Sequence, residues 1–460
     1  MGLPRVCTQT RAPLWAKNKK QKGEINVKKI ISIALALLMV AVMLPVMAMA
    51  DEPIKVTTQE ELKNAVATSG EVTLGDNITA SITIPAGKTV TLNLNGKTLT
   101  NEDGKDTIYV KMGGTLIING PGTVDNVSHG RAAIFNNGTV TLNGGTYIRS
   151  AEKGTGKDGE NSANGNSWYT ICNHGDMIVN VDVTVTNTGT YSSVFENGYY
   201  NYTDNPRDER SNFVQDTNHP YPKLTINGGT FEGGKITIKN DDGGTLVING
   251  GTFKNNGNRT VFNANKATIN GGEFNCPTTY FGNGIAVDTA HFDGGNNAGT
   301  LEIFGGTFNG RITKDNNSDV SITGGTFNTE VTDYVGENTL VVENNGTYYV
   351  GDAAQNAVQN ATSGTFTVKK AENDTSLTVK PGVTIVNNSD VNIKVNDKEV
   401  PNGVSYTVPG APIIIYNPTE DTPKANDQKN PGTGANDFVG VAAAMAVVSL
   451  LGAAAVIRKK

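Results

Sequence analysis

Apolar and polar residues alternate in short runs through the middle of the chain. In Thr89-Val-Thr-Leu-Asn-Leu94 the alternation puts Val90, Leu92 and Leu94 on one face, and Gly244-Thr-Leu-Val-Ile-Asn249 has the same two-residue period. A period of two belongs to a β-strand, whose apolar face must turn inward. The runs are punctuated by a repeat: an aliphatic residue, one spacer, then Gly-Gly-Thr/Glu-aromatic. It stands at Leu142 with Gly144 to Tyr147, Ile226 with Gly228 to Phe231, Ile248 with Gly250 to Phe253, Ile269 with Gly271 to Phe274, Ile303 with Gly305 to Phe308, and Ile322 with Gly324 to Phe327. Two degenerate copies, Leu94-Asn95-Gly96 and Ile118-Asn119-Gly120, come first.

The first glycines step from 96 to 120 to 144, then from 228 to 250 to 271, and from 305 to 324. Such a period is the circumference of one coil of a stacked solenoid. Gly-Gly supplies positive φ at corners where β-branched neighbours cannot turn. Coils stacked about 4.8 Å apart place Ile over Ile and Phe over Phe, with Asn119, Asn143, Asn227, Asn249 and Asn270 in one column. A dozen coils make a rod of roughly 55 to 60 Å.

This signature resembles the right-handed parallel β-helix of the pectin-lyase-like superfamily over residues 72 to 345. The expected fold class is all-β: a parallel β-helix solenoid with a short N-terminal capping helix, a small C-terminal β module and a cleaved C-terminal transmembrane helix. A solenoid needs lids over its terminal coils. Thr57-Thr-Gln-Glu60 has the capping-box pattern, and Leu62, Ala65 and Val66 line one face of a helix over 56–67. The lead-in resembles the opening of bacterial wall-anchored β-helical proteins. It is replayed at Ala354 to Val358, Gly364 to Val368 and Pro381 to Val386, so 346–416 reads as a small β module or as the rod's C-terminal cap. Residues 417–429, rich in Pro, Thr, Asp, Lys and Asn, read as a disordered linker.

The repeat breaks between 151 and 222, where Gly144 to Gly228 spans about four coil lengths and only Tyr169 to Val185 reads as strand. This segment reads as a loop insertion in the 51–345 β-helix. Its aromatics, Trp168, Tyr169, Tyr199, Tyr200, Tyr202 and Tyr221 among them, are candidates for stacking on sugar rings, because loops on a rigid scaffold carry sites. The competing reading folds these rings back against the solenoid wall.

Both ends of the chain point to export. Val27-Lys28-Lys29, the apolar stretch Ile30 to Met47 and Ala48-Met49-Ala50 form a secretory signal with cleavage before Asp51. Residues 1–26 read as a misassigned gene start. Asn430-Pro431-Gly432-Thr433-Gly434 precedes an apolar run from Phe438 to Ile457 and the basic Arg458, Lys459 and Lys460. That run is long enough for a helix to cross the hydrocarbon core, with the basic residues on the cytoplasmic side. The pentapeptide resembles the LPXTG-type motif of sortase substrates, matching it at Pro431, Thr433 and Gly434 and departing at Asn430 and Gly432. The resemblance implies cleavage after Thr433, covalent transfer of Thr433 to peptidoglycan, and transient membrane anchoring through 438–457 before the protein is held on the wall. A permanent tail anchor behind a chance NPGTG is the alternative.

Processing alters the charge. The chain carries 38 Lys+Arg against 44 Asp+Glu; removing the 8 and 1 in residues 1–50 and the 3 and 1 in residues 435–460 leaves 27 against 42, near −15. Nucleic acid and anionic lipid need a basic surface and are poor partners for such a chain. Of the three cysteines, Cys7 leaves with the leader. Cys172 and Cys276 show no metal spacing, and read as buried thiols in preference to a disulfide.

The superfamily resemblance brings in polysaccharide lyases, which hold calcium on an acidic cluster beside an Arg or Lys base. Asp241-Asp242, and Asp315 with Asp319 near Arg311 and Lys314, are the candidates, all in turns where Asp is expected anyway. Calcium is the only cofactor this reading admits. The four histidines, His129, His174, His219 and His291, read as loop residues. The favoured expectation is a non-enzymatic, sortase-anchored surface rod, an adhesin or glycan-binding display protein. A wall-attached polysaccharide lyase or glycoside hydrolase is one alternative and a passive stalk another.

Overall fold

The computed structural model describes residues 53–68, 70–151, 168–187, 192–198, 222–241, 243–279, 282–290 and 299–410. They form a parallel β-helix of three sheets, each coil giving one strand to each sheet. Thr139–Leu142 lies in the first sheet, Gly145–Arg149 in the second and Ile171–Asn173 in the third; Asp176–Val179 then returns to the first and pairs in parallel with Thr139–Leu142. The sheets hold 11, 15 and nine strands.

Inward positions are the apolar ones of the alternating runs. Val90, Leu92, Leu116, Ile118, Val140 and Leu142 are all fully buried. Because one position in each coil falls on the same position in the next, like stacks on like. Phe231, Phe253, Phe274, Phe308 and Phe327 form a column with ring centroids 5.0, 4.7, 4.7 and 4.8 Å apart and planes within 8° of parallel. The coil rise imposes this face-to-face spacing, and each ring pair adds about 0.5–1.5 kcal/mol beyond its area.

The two glycines of each corner have different tasks. A Cβ on Gly305 would stand 2.6 Å from the Asn270 carbonyl oxygen, while Gly306 needs φ +110°. Next to this corner runs the expected asparagine column, one strand earlier and more complete than the repeat suggested. It starts at Asn93 rather than Asn119 and includes Asn180, while Asn95 donates to the Leu74 carbonyl. Asn119, Asn143, Asn180, Asn227, Asn249 and Asn270 each donate Nδ2 to the Oδ1 of the preceding member, at 2.7, 2.9, 2.8, 2.9, 2.9 and 2.8 Å. Beside it, the middle outward column of the first sheet reads Thr91, Ile117, Thr141, Ile178, Thr225, Val247 and Thr268 in register.

The apparent break at 151–222 is not one. Gly144 to Gly228 holds two coil steps rather than four, because Asp176–Val179 and Val183–Asn187 continue the first and second sheets and Phe195–Asn197 the third. Val181-Asp182-Val183 stands where other coils have Gly-Gly, with Val183 opposite Gly145, which hid the coil. The extra length is inserted between strands of successive sheets, between Arg149 and Ile171 and between Asn197 and Lys223.

The N-terminal coil is covered by the helix Gln59–Thr68, which buries Leu62, Ala65 and Val66. Its capping box is Thr58 with Glu61, one residue later than the expected Thr57–Glu60. Thr58 Oγ1 accepts the Glu61 N–H at 3.2 Å, and the Glu61 carboxylate accepts the N–H of Thr58 at 3.1 Å and of Thr57 at 2.7 Å. The bond from the Thr57 N–H holds the Glu61 carboxyl below its usual range. Lys63 ties the lid to the rod through Glu102 at 2.7 Å, which draws the Glu102 carboxyl down to about 2.

At the other end the second sheet turns antiparallel, Gly325–Phe327 pairing with Thr347–Val350. The sheet's last coil edge is thereby paired. A helix, Asp352–Asn360, and the parallel strands Gly364–Lys370 and Val383–Asn387 follow in the order seen after Gln59–Thr68. Val342, Val358, Val368, Leu377, Ile385 and Ile393 form a core of their own there. Among the described residues no helix is long and apolar enough to cross a membrane; the 438–457 run lies outside them.

Candidate functional site

The third sheet departs from the rule that outward residues are wet. Its strands align Tyr109, Phe135, Cys172, Glu196, Lys239, Phe262, Asp288 and Thr313 in one outward row. Phe135 and Cys172 are fully buried, and Glu196 and Lys239 are 4% and 7% exposed. The longest inter-strand stretches of the coils, Arg149 to Ile171, Asn197 to Lys223 and Thr289 to Thr300, begin or end at strands of this sheet.

One end of the row is aromatic. Phe135 meets Tyr109 edge-on at 5.8 Å and the His174 ring at 5.0 Å. Trp168 and Tyr169, 5.5 Å apart, pack with Tyr109 on Ala132, Phe135 and Cys172. Two of the six candidate sugar-stacking rings are therefore half-buried against the wall. Tyr199, Tyr200, Tyr202 and Tyr221 lie outside the described residues, as do Ala48, Ala50, Asp51 and Asn430 to Gly434.

Burial shapes the titration of this end. Arg149, donating to the carbonyls of Trp168 at 2.9 Å and Ser128 at 2.7 Å, is lowered to about 10 by desolvation. Desolvation pushes Asp106, which accepts the Ala132 N–H at 2.8 Å, up to about 6. Cys172 is raised well above the usual thiol range by burial and by the neighbouring Glu196 and Asp106 charges. A thiol held protonated is a poor nucleophile. Cys172 and Cys276 are both free and buried.

Farther along, charges pair. His174 Nε2 lies 3.9 Å from Glu196, Lys239 bonds Asp241, and Arg259 bonds Asp288 while lying 5.4 Å over the Phe262 ring. Thr313 donates to Asp288 at 2.6 Å. His174 thus lies in a turn, as expected, with its ring packed onto the sheet.

The turn acids are scattered. Asp241 is buried beside Lys239, and Asp242 lies outside the described residues. Asp315 accepts the Asn317 N–H at 3.0 Å in a turn, Lys314 donates to the Ser318 carbonyl at 2.7 Å, and Asp319 belongs to a first-sheet strand. Arg311, on the last strand of the third sheet, lines a cavity of about 370 Å³ with Glu330, Asp333 and Tyr334. No group of three His, Cys, Asp or Glu that could hold a metal ion occurs among the described residues.

A second asparagine ladder, absent from the sequence reading, runs inside the rod at the corner between the third and first sheets. Asn136, Asn173, Asn197 and Asn240 donate to Asn173, Asn197, Asn240 and Asn263 at 2.7, 2.7, 2.7 and 2.8 Å, all fully buried. They also satisfy corner carbonyls, as Asn173 does for Lys223 at 3.0 Å. Each closes a short run such as Ile134-Phe-Asn136 or Ile171-Cys-Asn173, a signal visible in the sequence once the coil is known.

The fold defines a parallel β-helix solenoid. No protein-family model, curated protein or solved structure matches the chain.

Proposed function

We propose that this chain is a secreted surface protein, joined by a sortase to peptidoglycan through Thr433, whose β-helix binds or displays at a glycan or host surface. The carrying observation is the order of features in Asn430 to Lys460: NPGTG, an apolar run of membrane-spanning length, then Arg458-Lys-Lys460. The export signal before Asp51 and the acidic balance of the processed chain support the same compartment. A rod built of coils supplies reach that the short linker 417–429 does not.

The test is fractionation of a Gram-positive host expressing the full chain. Release by a peptidoglycan hydrolase but not by detergent, lost on deletion of residues 430–434 or of the host sortases, is the expected result. Extraction by detergent alone would instead mean a tail anchor.

A second reading, a polysaccharide lyase or hydrolase, draws on one observation: the charged groups Glu196, Lys239, Asp241, Arg259 and Asp288 along one sheet. New chain ends in a polysaccharide incubated with the protein, lost with Asp241→Ala, would favour it.

A further inference from the structure

We propose that the outward face of the first sheet is a track for an uncharged, extended polysaccharide lying along the stacking direction; this rests on the glycan-surface reading above and names its ligand class and place.

The track is the middle column and the asparagine ladder, since the remaining outward column of these strands carries Asp176, Lys223 and Lys266. From Thr91 to Thr268 the middle column carries no charge over seven strands, and neither does the ladder from Asn93 to Asn270, although 18% of the chain is charged. Glu71 and Glu302 are the first charges met in the middle column at either end. The strip is about 29 Å long, six steps of about 4.8 Å.

Its hydrogen-bonding groups are held in place before any ligand arrives. From Asn119 to Asn270 each ladder amide gives one Nδ2 hydrogen to its neighbour, which leaves the second hydrogen and a carbonyl lone pair for a ligand, whereas Asn93 donates to Glu71 and Thr73. Amides already fixed lose little rotamer entropy on binding. They recur at the coil rise, seen as 4.7–5.0 Å in the phenylalanine stack, a step comparable to one sugar of an extended chain. The adjacent Thr, Ile and Val side chains present methyl groups, with Ile178 42% exposed. Past Asn270 the next position in the column is Phe304, 50% exposed, an aromatic face at the end of a polar row. Methyls, one exposed ring and fixed amides suit a molecule whose rings have C–H faces and hydroxyl edges.

Other partners fit less well. A protein interface is anchored by aromatic or Arg side chains in pockets, and a docking strand needs a free edge; this strip is a sheet face with neither. Nucleic acid needs cations along its length.

The test uses the processed chain, residues 51–433, with insoluble cellulose, soluble mixed-linkage β-glucan and polygalacturonate as probes, and three variants besides wild type, one of them Phe304→Ala. Thr225→Glu/Thr268→Glu charges the track; Tyr199→Ala/Tyr200→Ala/Tyr202→Ala removes loop tyrosines. Unchanged circular dichroism and melting establish that each variant is folded. The expected result is at least tenfold weaker retention on a neutral glucan for the track variant, several-fold weaker for Phe304→Ala, and no change for the tyrosine variant. Retention that survives the track variant but falls with the tyrosine variant overturns the track and leaves glycan binding standing. Retention only on polygalacturonate overturns the ligand class. No retention on any probe overturns both, and a concentration-dependent dimer abolished by the track variant assigns the face to a second copy instead.

Discussion

The outward faces of the first and third sheets have the same backbone and opposite surroundings. On the first, tight Gly-Gly corners keep the chain close to the coil, and the residues of the middle and asparagine columns stay short and uncharged from Thr91 to Asn270. On the third, long stretches of chain are inserted before or after its strands, and the outward row holds Phe135, Cys172, Glu196 and Lys239 away from solvent. A β-helix therefore separates regularity from variation by corner. Where the corner is short, every coil repeats the last; where it is long, neighbouring coils carry different chemistry on one face.

The largest expected effect breaks the buried charge of the third face. Asp241→Ala removes the carboxylate bonded to buried Lys239, and should cost about 3 kcal/mol in chemical denaturation, whereas Asp241→Asn with Lys239→Met should recover much of it.

The two asparagine ladders give a matched pair. Asn240→Ala takes away the acceptor that Asn197 uses in the ladder and the donor to Asn263 Oδ1 inside the rod, and removes one donor from the Gly244 and Lys266 carbonyls, an expected loss of about 2 kcal/mol. Asn249→Ala, where water replaces the lost partner, should cost about 0.5 kcal/mol. Equal losses in melting experiments would mean that burial does not distinguish the ladders.

A pH series sharpens the contrast. Asp106 is raised from its usual 3.8 to about 6 in the fold, so the fold favours its protonated form. That contribution is complete below pH 3.8 and is lost as pH rises through 6. Relative to Asp106→Asn, which stays neutral, the wild type should lose about 1–2 kcal/mol between pH 4 and pH 7. A constant difference across this range would refute the shift. The smallest effect belongs to the first face, where Thr225→Val should change stability by less than about 0.5 kcal/mol.

Much of the rod was legible from residue order. Alternation placed Val90, Leu92 and Leu94 inside, and the glycine pairs located the corners from Gly228 to Gly325. The phenylalanine column and most of the exposed asparagine column followed, because a repeat that falls on itself once per coil brings like residues together. The coil through Ile171 to Asn187 was missed because Val181-Asp182-Val183 lacks the glycine marker while its strands keep the alternation. The capping box slid by one residue because Thr57 and Thr58 offer the same hydroxyl, and only the path of the chain into the lid helix selects Thr58.

What sequence determined by itself was the set of properties that repeat with the chain: strand period, coil length and corner chemistry. What tertiary structure alone decided was the identity of neighbours across coils. Asn136 and Asn173, 37 residues apart, share a hydrogen bond, and Trp168 turns onto Phe135. These contacts depend on how much chain is inserted between strands, and an insertion changes separation along the sequence without changing separation across a sheet.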